Sequence, residues 1–583
     1  MERGLIEHRA FGSECYALDA DTLVISIKTG YEVDKVILNY GDPFANGIMG
    51  AEQQWSGSQA EHTECVKLPY QKLWTFEVTP EFHRCKYFFE IYSGGECVRC
   101  YEDGIFDIRE PFAEGKIEQC FYFPWMNPAD IGTVPDWVCD TVWYQIFPDR
   151  FCNGEPDISP EGAKEWKYEK VQHFDYYGGD LQGIIDKIPY LKDLGITGIY
   201  LNPIFESNSN HKYNTADYCK IDPHFGTEET LIKLVELAHQ AGIRIMLDAV
   251  FNHCGRDFAP WKDVLENGPK SRYYDWFFIH QWPFDQSSYD TRDGKFDSFA
   301  FHAGMPKLNT NHPDVIAYFN RICVYWVKQW KIDGIRFDVG NEVSHFFLKE
   351  LRKAVKEVNP QVYLLGEIWH DSISWLMGDE YDSVMNYPFV QSMHNFFIDE
   401  RKNALDFECE MNRCYHLYGK QYNRVLFNLL DSHDTIRLYS RLSSIDKFYQ
   451  YLTILFTMQG TPCIYYGTEI AMAGGFDPDC RRCMPWDAIQ QGKYEEQIHK
   501  MKTLIRLRQE SDACKSEQLV WDDKNDSRVI HYQKVGTSDL LDVYVNASTE
   551  NYLLEEKGKL VFAQKYKSNV LEKDGVCIFQ TKR

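Results

Sequence analysis

From residue 1 to about residue 125 the apolar positions come in short β-branched or aromatic runs, each cut off by Gly, Pro, Asp or Asn. "DTLVISIKTG", "DKVILNYGD", "KLWTFEVTP" and "CKYFFEIYSGG" are the clearest. Runs of this length between turn residues predict an all-β sandwich. Phe123 to Trp137, "FPWMNPADIGTVPDW", carries three prolines and no periodicity, and reads as a linker. From Val142 the pattern changes. "LQGIIDKIPYLKDLG" repeats apolar residues at helical spacing (Ile184, Ile188, Leu191), stops near Gly195 and leads into "ITGIYLNPIF". "GTEETLIKLVELAHQAG" repeats the design, with Thr227 as N-cap, Glu228 and Glu229 at the positive helix end and Gly242 to stop it. "IRIMLDAV" then follows as a nearly continuous apolar strand, of the kind a parallel sheet buries on both faces.

Further strands are expected at Val142–Phe147, near Gly198, Ile243, Gly334 and Val362, and at Asp382–Phe389, Arg424–Asp431 and Pro462–Gly467. Alternating with helices, they predict an α/β fold, a (β/α)8 TIM barrel, with an open doubly wound sheet as the alternative. About residues 256–314 the connection is too long for a turn, and its Trp, Tyr, Phe and Asp content predicts a subdomain inserted over the barrel mouth. After about residue 510 short alternating runs return ("RVIHYQKV", "LDVYVNAS", "GVCIFQ") and predict a C-terminal β-sandwich. The expected domains are thus 1–125, an N-terminal β-sandwich; 126–510, the barrel; and 511–583, the C-terminal β-sandwich.

Composition narrows the partners. The 583 residues are 44% hydrophobic and 26% charged, as in globular proteins, and too many for one core. A net charge of −25 disfavours nucleic acid and anionic membrane and suits a neutral substrate. The N-terminal "MERGLIEHRAFGSE" has no apolar signal segment, so a cytoplasmic address is expected. Eighteen cysteines then read as reduced thiols, and the CxxC pairs Cys97/Cys100 and Cys480/Cys483 lack the local spacing of a zinc ribbon.

In a barrel of this kind function gathers at the C-terminal strand ends. There the chain places Asp248, Asn252 and His253; Arg336 and Asp338 in "GIRFDV"; Glu367 in "LLGEIWH"; and Asp431, His433 and Asp434 in "LLDSHD". Each has an ordinary alternative: a strand-closing Asp can cap the next helix, an Arg–Asp pair can be a structural ion pair, a His can be a core residue. Carboxylates closing four strands together point to glycoside hydrolysis, which needs one ionised and one protonated carboxyl and no cofactor. Arg336, two residues from Asp338 on the same strand face, is expected to lower the Asp338 pKa. Ile368 and Trp369 are expected to give Glu367 an apolar setting that keeps it protonated.

"DAVFNH", "GIRFDVGNE", "GEIW" and "LLDSHD", in this order, resemble the four signature regions of the alpha-amylase superfamily. "MPKLN" (Met305–Asn309), "HKYNTADY", "VMNYPF", "GGFDPDCRRCMPW" and the Asn341–Glu342 pair resemble its neopullulanase, cyclomaltodextrinase and maltogenic amylase branch, over roughly Trp137 to Arg508. The resemblance implies a retaining hydrolase of α-1,4, and also α-1,6, glucosidic bonds, with Asp338 as nucleophile, Glu367 as acid/base and Asp434 as transition-state stabiliser. It implies substrate binding by Tyr213, His253, Arg336, Trp369, His433, Asp477 and Arg481, with Trp369 either selecting between bond types or simply packing, and with Asp248 bracing the strand end. It further implies an α-glucan substrate, an N-terminal domain of starch-binding type and a homodimer formed through that domain.

Relatives often hold calcium in a loop after the first strand. Here Asn153, Gly178 and Asp180 are kept, but Glu155, Ile158 and Ser159 stand where the family has other oxygen ligands. No metal or cofactor is therefore expected to be required, since a hard cation wants six or more oxygens. Gly340 replaces the usual Ala and Asn202 the usual Thr. The alternatives are an oligo-1,6-glucosidase-type exo-enzyme and a non-catalytic amylase-like glycan-binding protein.

Overall fold

The computed structural model describes residues 1–45, 55–107, 119–442, 444–522, 527–555 and 557–583. At the N-terminus two antiparallel sheets face each other. One contains Leu23–Thr29 paired with Lys72–Val78; the other contains Lys35–Gly41 paired with Cys85–Ser93. Alternate residues point inward, so Ile25, Ile27 and Phe76 of the first sheet meet Val36, Leu38, Phe89 and Ile91 of the second in one core.

Eight parallel strands follow: β1 (Trp143–Ile146), β2 (Gly198–Leu201), β3 (Arg244–Ala249), β4 (Gly334–Phe337), β5 (Tyr363–Gly366), β6 (Ser383–Val384), β7 (Phe427–Leu429) and β8 (Thr461–Tyr465). They pair in the order β6-β5-β4-β3-β2-β1-β8-β7. A parallel bridge from Met385 to Phe427 closes the ring, so the sheet is a barrel and not an open doubly wound sheet. Its strands are buried along their length, which accounts for their continuous apolar sequences.

The helix signals hold. α1 (Leu181–Leu194) ends at Gly195, whose φ of 95° is a left-handed stop. α2 (Glu228–Gln240) starts at Thr227, whose hydroxyl accepts the Thr230 N–H at 3.3 Å. One strand signal fails in part. Of the expected Asp382–Phe389 strand only Ser383–Val384 is extended, because Asn386 accepts the Phe389 N–H at 3.3 Å and starts α3 (Tyr387–Ile398), with Pro388 in its first turn.

Between β3 and β4 the inserted chain forms a helix (Ala259–Asn267) whose Trp261 packs against Phe277, Phe284 and Phe296. Bridges from His253 to Lys307 and from Phe277 to Leu308 tie this segment to the barrel rim. The C-terminal sheet domain is one continuous antiparallel sheet of six strands centred on Val570–Lys582. A single sheet therefore stands where a two-layer sandwich was expected, with register shifts at Leu560/Phe562 and Gln564/Tyr566 where one strand bulges. One face, with Ile530, Tyr532 and Val543, joins the barrel core, and the other holds Tyr544, Leu571 and Phe579. All eighteen cysteines are free thiols, and among the described residues no helix is long and apolar enough to cross a membrane.

Candidate active site

The strand ends converge on one cleft of about 1090 Å³. Tyr213, His253, Asp338, Glu367, Trp369, His433, Asp434, Asp477 and Arg481 all line it, with Asn341. Arg336 lies beneath its floor and is fully buried. From β4 its Nη1 donates to both oxygens of Asp248 (2.8 and 2.9 Å) and to Oδ1 of Asp338 (2.8 Å), while Nη2 stands 2.9 Å from Oε2 of Glu367. One guanidinium thus serves three carboxylates from three adjacent strands. Asp248 is fully occupied, since it also accepts the Tyr200 and Tyr213 hydroxyls at 2.6 and 2.8 Å. It braces Arg336, as its place at the strand end suggests.

This sharing corrects two expectations. Asp338 is pushed well above the ordinary carboxylate range, not below it. Burial is the largest cause; Arg336 opposes it, but the charges of Glu367, Asp248 and Asp434 add to the rise. A cation divided among three anions cannot do for one of them what the two-residue spacing alone promised. The setting of Glu367 is likewise polar, not apolar: Oε2 accepts the Val339 N–H at 2.9 Å and Oε1 the Trp369 indole N–H at 3.1 Å. Val339 makes its contact from a left-handed conformation (φ 47°, ψ 45°), costly for a β-branched residue at roughly 1–3 kcal/mol. The strained peptide couples the residue after Asp338 to Glu367.

Gly340 has a local cause. A Cβ there would lie 2.8 Å from the Tyr381 hydroxyl, which donates to the Gly340 carbonyl at 3.0 Å.

On the opposite wall Gln145 of β1 donates to Nδ1 of His433 at 2.8 Å, which leaves the imidazole proton on Nε2, 3.1 Å from Oδ2 of Asp434. Burial, with Arg481 next, holds His433 well below its usual pKa, so this tautomer is neutral. The Tyr213 ring stacks on His433 (5.3 Å, 3°), and its hydroxyl accepts from Asn202 at 2.8 Å, so the Asn in place of the usual Thr anchors a cleft aromatic. Arg481 spans Asp434 (3.3 Å) and Asp477 (3.0 Å). His253, which burial brings down to about 3, places Nε2 4.0 Å from Oδ2 of Asp338 with no hydrogen-bond partner. Trp369, half exposed, stacks on Tyr387 at 3.9 Å.

Two family descriptions match this chain: "Alpha amylase, catalytic domain" over residues 145–527 and "Alpha amylase, N-terminal ig-like domain" over residues 1–127. The chain belongs to the alpha-amylase family. It is 43% identical to a cyclomaltodextrinase of Geobacillus thermopakistaniensis over 94% of this chain and 92% of that protein. It is 44% identical to the intracellular maltogenic amylase of Bacillus subtilis (strain 168) over 90% and 88%. A solved structure, a cyclomaltodextrinase, superposes with a TM-score of 0.87 at 37% identity, covering 100% of this chain and 98% of its own. Membership at this level makes the chain an α-glucan hydrolase.

Within this alpha-amylase family chain not every acid at a strand end reaches the cleft. Asp431 points away and accepts the Leu438 N–H (2.8 Å) and the Thr468 hydroxyl (3.3 Å). Lys307 of "MPKLN" donates to Asn252 and pairs with Glu342 at 2.9 Å, which fastens the inserted segment to the β4 loop. Gln145, Phe174 and Phe299 went unmarked in the sequence, although Phe174 and Phe299 line the cleft. Gln145 carried a signal, a lone amide in the apolar strand "VWYQIF"; the two phenylalanines carried none.

The calcium loop does not fit a hard cation. Both Asp180 oxygens are taken by backbone amides, Oδ2 by Gly154 (3.0 Å) and Glu155 (2.8 Å), and Oδ1 by Gly183 (2.6 Å). The Ile158 carbonyl accepts from His224 at 2.9 Å, and the Asn153 amide donates to Ser159 at 3.0 Å. Among the described buried side-chain oxygens of this loop, Asn153 Oδ1 is the one without a partner, where a hard cation wants six or more oxygens.

Proposed function

We propose that this chain hydrolyses α-1,4-glucosidic bonds, and α-1,6 bonds as a secondary activity, in cyclodextrins, maltooligosaccharides, pullulan and starch, with retention of configuration. The observation that carries the reading is the Arg336 guanidinium lying against both carboxyls, Nη1 donating to Oδ1 of Asp338 at 2.8 Å and Nη2 standing 2.9 Å from Oε2 of Glu367 as an ion pair. A planar guanidinium between them keeps the two carboxyls close, and a retaining enzyme needs them about 5–5.5 Å apart. The names of the relatives, cyclomaltodextrinase and maltogenic amylase, support the substrate class.

In this mechanism Asp338 attacks the anomeric carbon through Oδ2, the oxygen that Arg336 leaves free and that faces His253. Glu367 protonates the leaving glycosidic oxygen through Oε1, the oxygen on the Trp369 side, and then deprotonates the water that cleaves the glycosyl ester. Asp434, held by His433 and Arg481, binds ring hydroxyls as the sugar flattens. His253 donates to the same sugar from its unpartnered Nε2. Tyr213 packs on the sugar face, and Asp477 with Arg481 holds the next glucose. Product analysis on β-cyclodextrin, pullulan and soluble starch, with NMR of the first-formed anomer, tests the reading. Maltose released first as the α-anomer is expected; a β-anomer would contradict it.

The carboxyl pair also sets the pH profile. Asp338 must be ionised to attack, and its pKa is raised, so activity is lost as pH falls through that raised value. The acid limb of kcat/KM is expected above the usual aspartate value of about 3.9. In Glu367→Gln assayed with a glycosyl fluoride, whose leaving group needs no proton, glycosylation should persist and the acid limb remain. An acid limb at or below pH 4 would count against the assignment.

No metal is required in this reading: exhaustive chelation is expected to leave kcat/KM within about twofold, the range of a lost surface contact. A large loss reversed by calcium would overturn it. We assign a cytoplasmic address on the strength of the intracellular relative and the acidic, membrane-averse charge. Homodimerisation through the N-terminal domain is supported by Phe44, Phe82 and Trp125, all about half exposed and gathered around Arg84. Sedimentation at micromolar concentration is expected to show about twice 68.5 kDa, and a lone monomer would refute it.

A further inference from the structure

Phe174 is 92% exposed and lines the catalytic cleft. A single phenylalanine on a surface loop is ordinary. The backbone that carries this one, however, is clamped on both sides. Asn210, 5% exposed, donates through Nδ2 to the His173 and Asp175 carbonyls, both at 2.8 Å. The Asp175 carbonyl also accepts Nη2 of Arg150 at 2.5 Å. The Asp175 carboxylate holds the turn closed, accepting the Gln172 N–H at 2.8 Å and pairing with Lys164 at 2.7 Å. Buried donors thus fix the residues before and after Phe174 and leave its ring in water.

The same anchor ties this turn to the wall that holds the sugar. Arg150 is fully buried, and its Nη1 donates to the Arg481 carbonyl at 2.8 Å. Arg481 spans Asp434 and Asp477, and Oδ2 of Asp477 lies 4.0 Å from Nδ1 of His173, the residue before Phe174. Asp434, Arg481, Asp477, His173 and Phe174 therefore run as one line from the reacting sugar to the rim of the cleft. Glu367 faces the leaving group, so sugars along this line belong to the part that becomes the glycosyl ester.

At the rim, water competes for every hydroxyl, and an exchanged hydrogen bond contributes little. Apolar contact does not suffer that competition: the C–H face of a glucose ring covers an aromatic face, and both leave water. A phenylalanine on backbone that is already fixed has little left to order when a sugar covers it. We propose that Phe174 is a specificity residue, whose ring is the platform for a third glucose on the glycosyl side of the cleaved bond, so that the enzyme favours α-glucans long enough to reach it. This rests on the α-glucan reading given above, with the sugar at Asp434 as the first glucose and the one at Asp477 and Arg481 as the second.

The test compares initial fluoride release from α-maltosyl fluoride, which fills the first two positions, and α-maltotriosyl fluoride, which adds the third. Wild type is expected to show a kcat/KM for the longer fluoride above that for the shorter by about fivefold or more, the scale of one aromatic stacking contact. Phe174→Ala should bring that ratio close to one, and Phe174→Tyr, which keeps the ring, should retain it. Both substrates meet the same enzyme preparation, so the ratio does not depend on how much of a variant folds. A wild-type ratio near one, a raised ratio that Phe174→Ala leaves in place, or its loss in Phe174→Tyr would overturn the platform alone. Fluoride released from neither substrate by wild type would fault the α-glucan reading and this site with it.

Discussion

Replacing Asp338 with Asn is expected to lower kcat at least ~10⁴-fold, the scale seen when a covalent catalytic residue is lost. The fold should survive, and stability at neutral pH should rise. The sign follows from the site. Asp338 is buried at 7% exposure, and its carboxyl pKa is raised in the folded protein, so the folded state holds that proton more tightly than the unfolded chain does. The group's contribution to stability therefore falls as pH climbs from the unfolded value of about 3.9 through the raised folded one. At pH 7 the ionised carboxylate costs stability that a neutral Asn would not. Urea denaturation should show a midpoint equal to or above wild type at pH 7, with the gap closing toward pH 4. A clearly lowered midpoint at pH 7 would mean that Arg336 pairs with Asp338 more favourably than the shared geometry implies.

Replacing Arg336 with Met removes the cation that contacts Asp248, Asp338 and Glu367 together. Uncompensated buried charge left by such a deletion typically costs about 3–5 kcal/mol. The loss should shrink as pH falls, because the stranded carboxylates can then take up protons. Activity should drop by more than ~10²-fold, the effect of losing one preorganised electrostatic partner, since both reactive carboxyls lose their common anchor. Denaturation midpoints at pH 5 and pH 8 check the first part; a variant as stable as wild type at pH 8 would show that the three acids do not depend on the guanidinium.

These two variants act on the same four side chains, and only part of that arrangement was legible in the sequence. The alternation of strand side chains put Arg336 and Asp338 on one face, and strand-end placement brought Asp248, Glu367 and Asp434 toward the same rim. Helix starts were equally readable where a side chain supplied its own cap, as at Thr227. What the sequence did not carry was the number of partners each charge would have. A single strand shows an Arg beside an Asp; only the register Asp248↔Arg336↔Leu365 across β3, β4 and β5 shows that the Arg is divided three ways. That division reverses the expected direction for Asp338.

The polar surroundings of Glu367 were hidden for a similar reason. One of its donors is a backbone N–H, from Val339, and backbone contacts leave no trace in side-chain pattern. Local chemistry also overrode pattern at "DSVMNYPF", where Asn386 and Pro388 start a helix inside a run of strand-forming residues. The inserted segment gave least of all. Phe299 and Tyr289 reach the cleft from irregular chain, where no periodicity says which way a side chain faces.

That an acid and an ionised carboxylate flank one sugar linkage is tested most directly by trapping the intermediate. A 5-fluoro-α-glycosyl fluoride loses fluoride as the nucleophile forms its ester, and the ring fluorine slows hydrolysis of that ester. Peptide mapping by mass spectrometry should find the sugar on Asp338 alone, and none in Asp338→Asn. A label on Asp434 or Glu367, or turnover with no covalent adduct, would contradict the assignment.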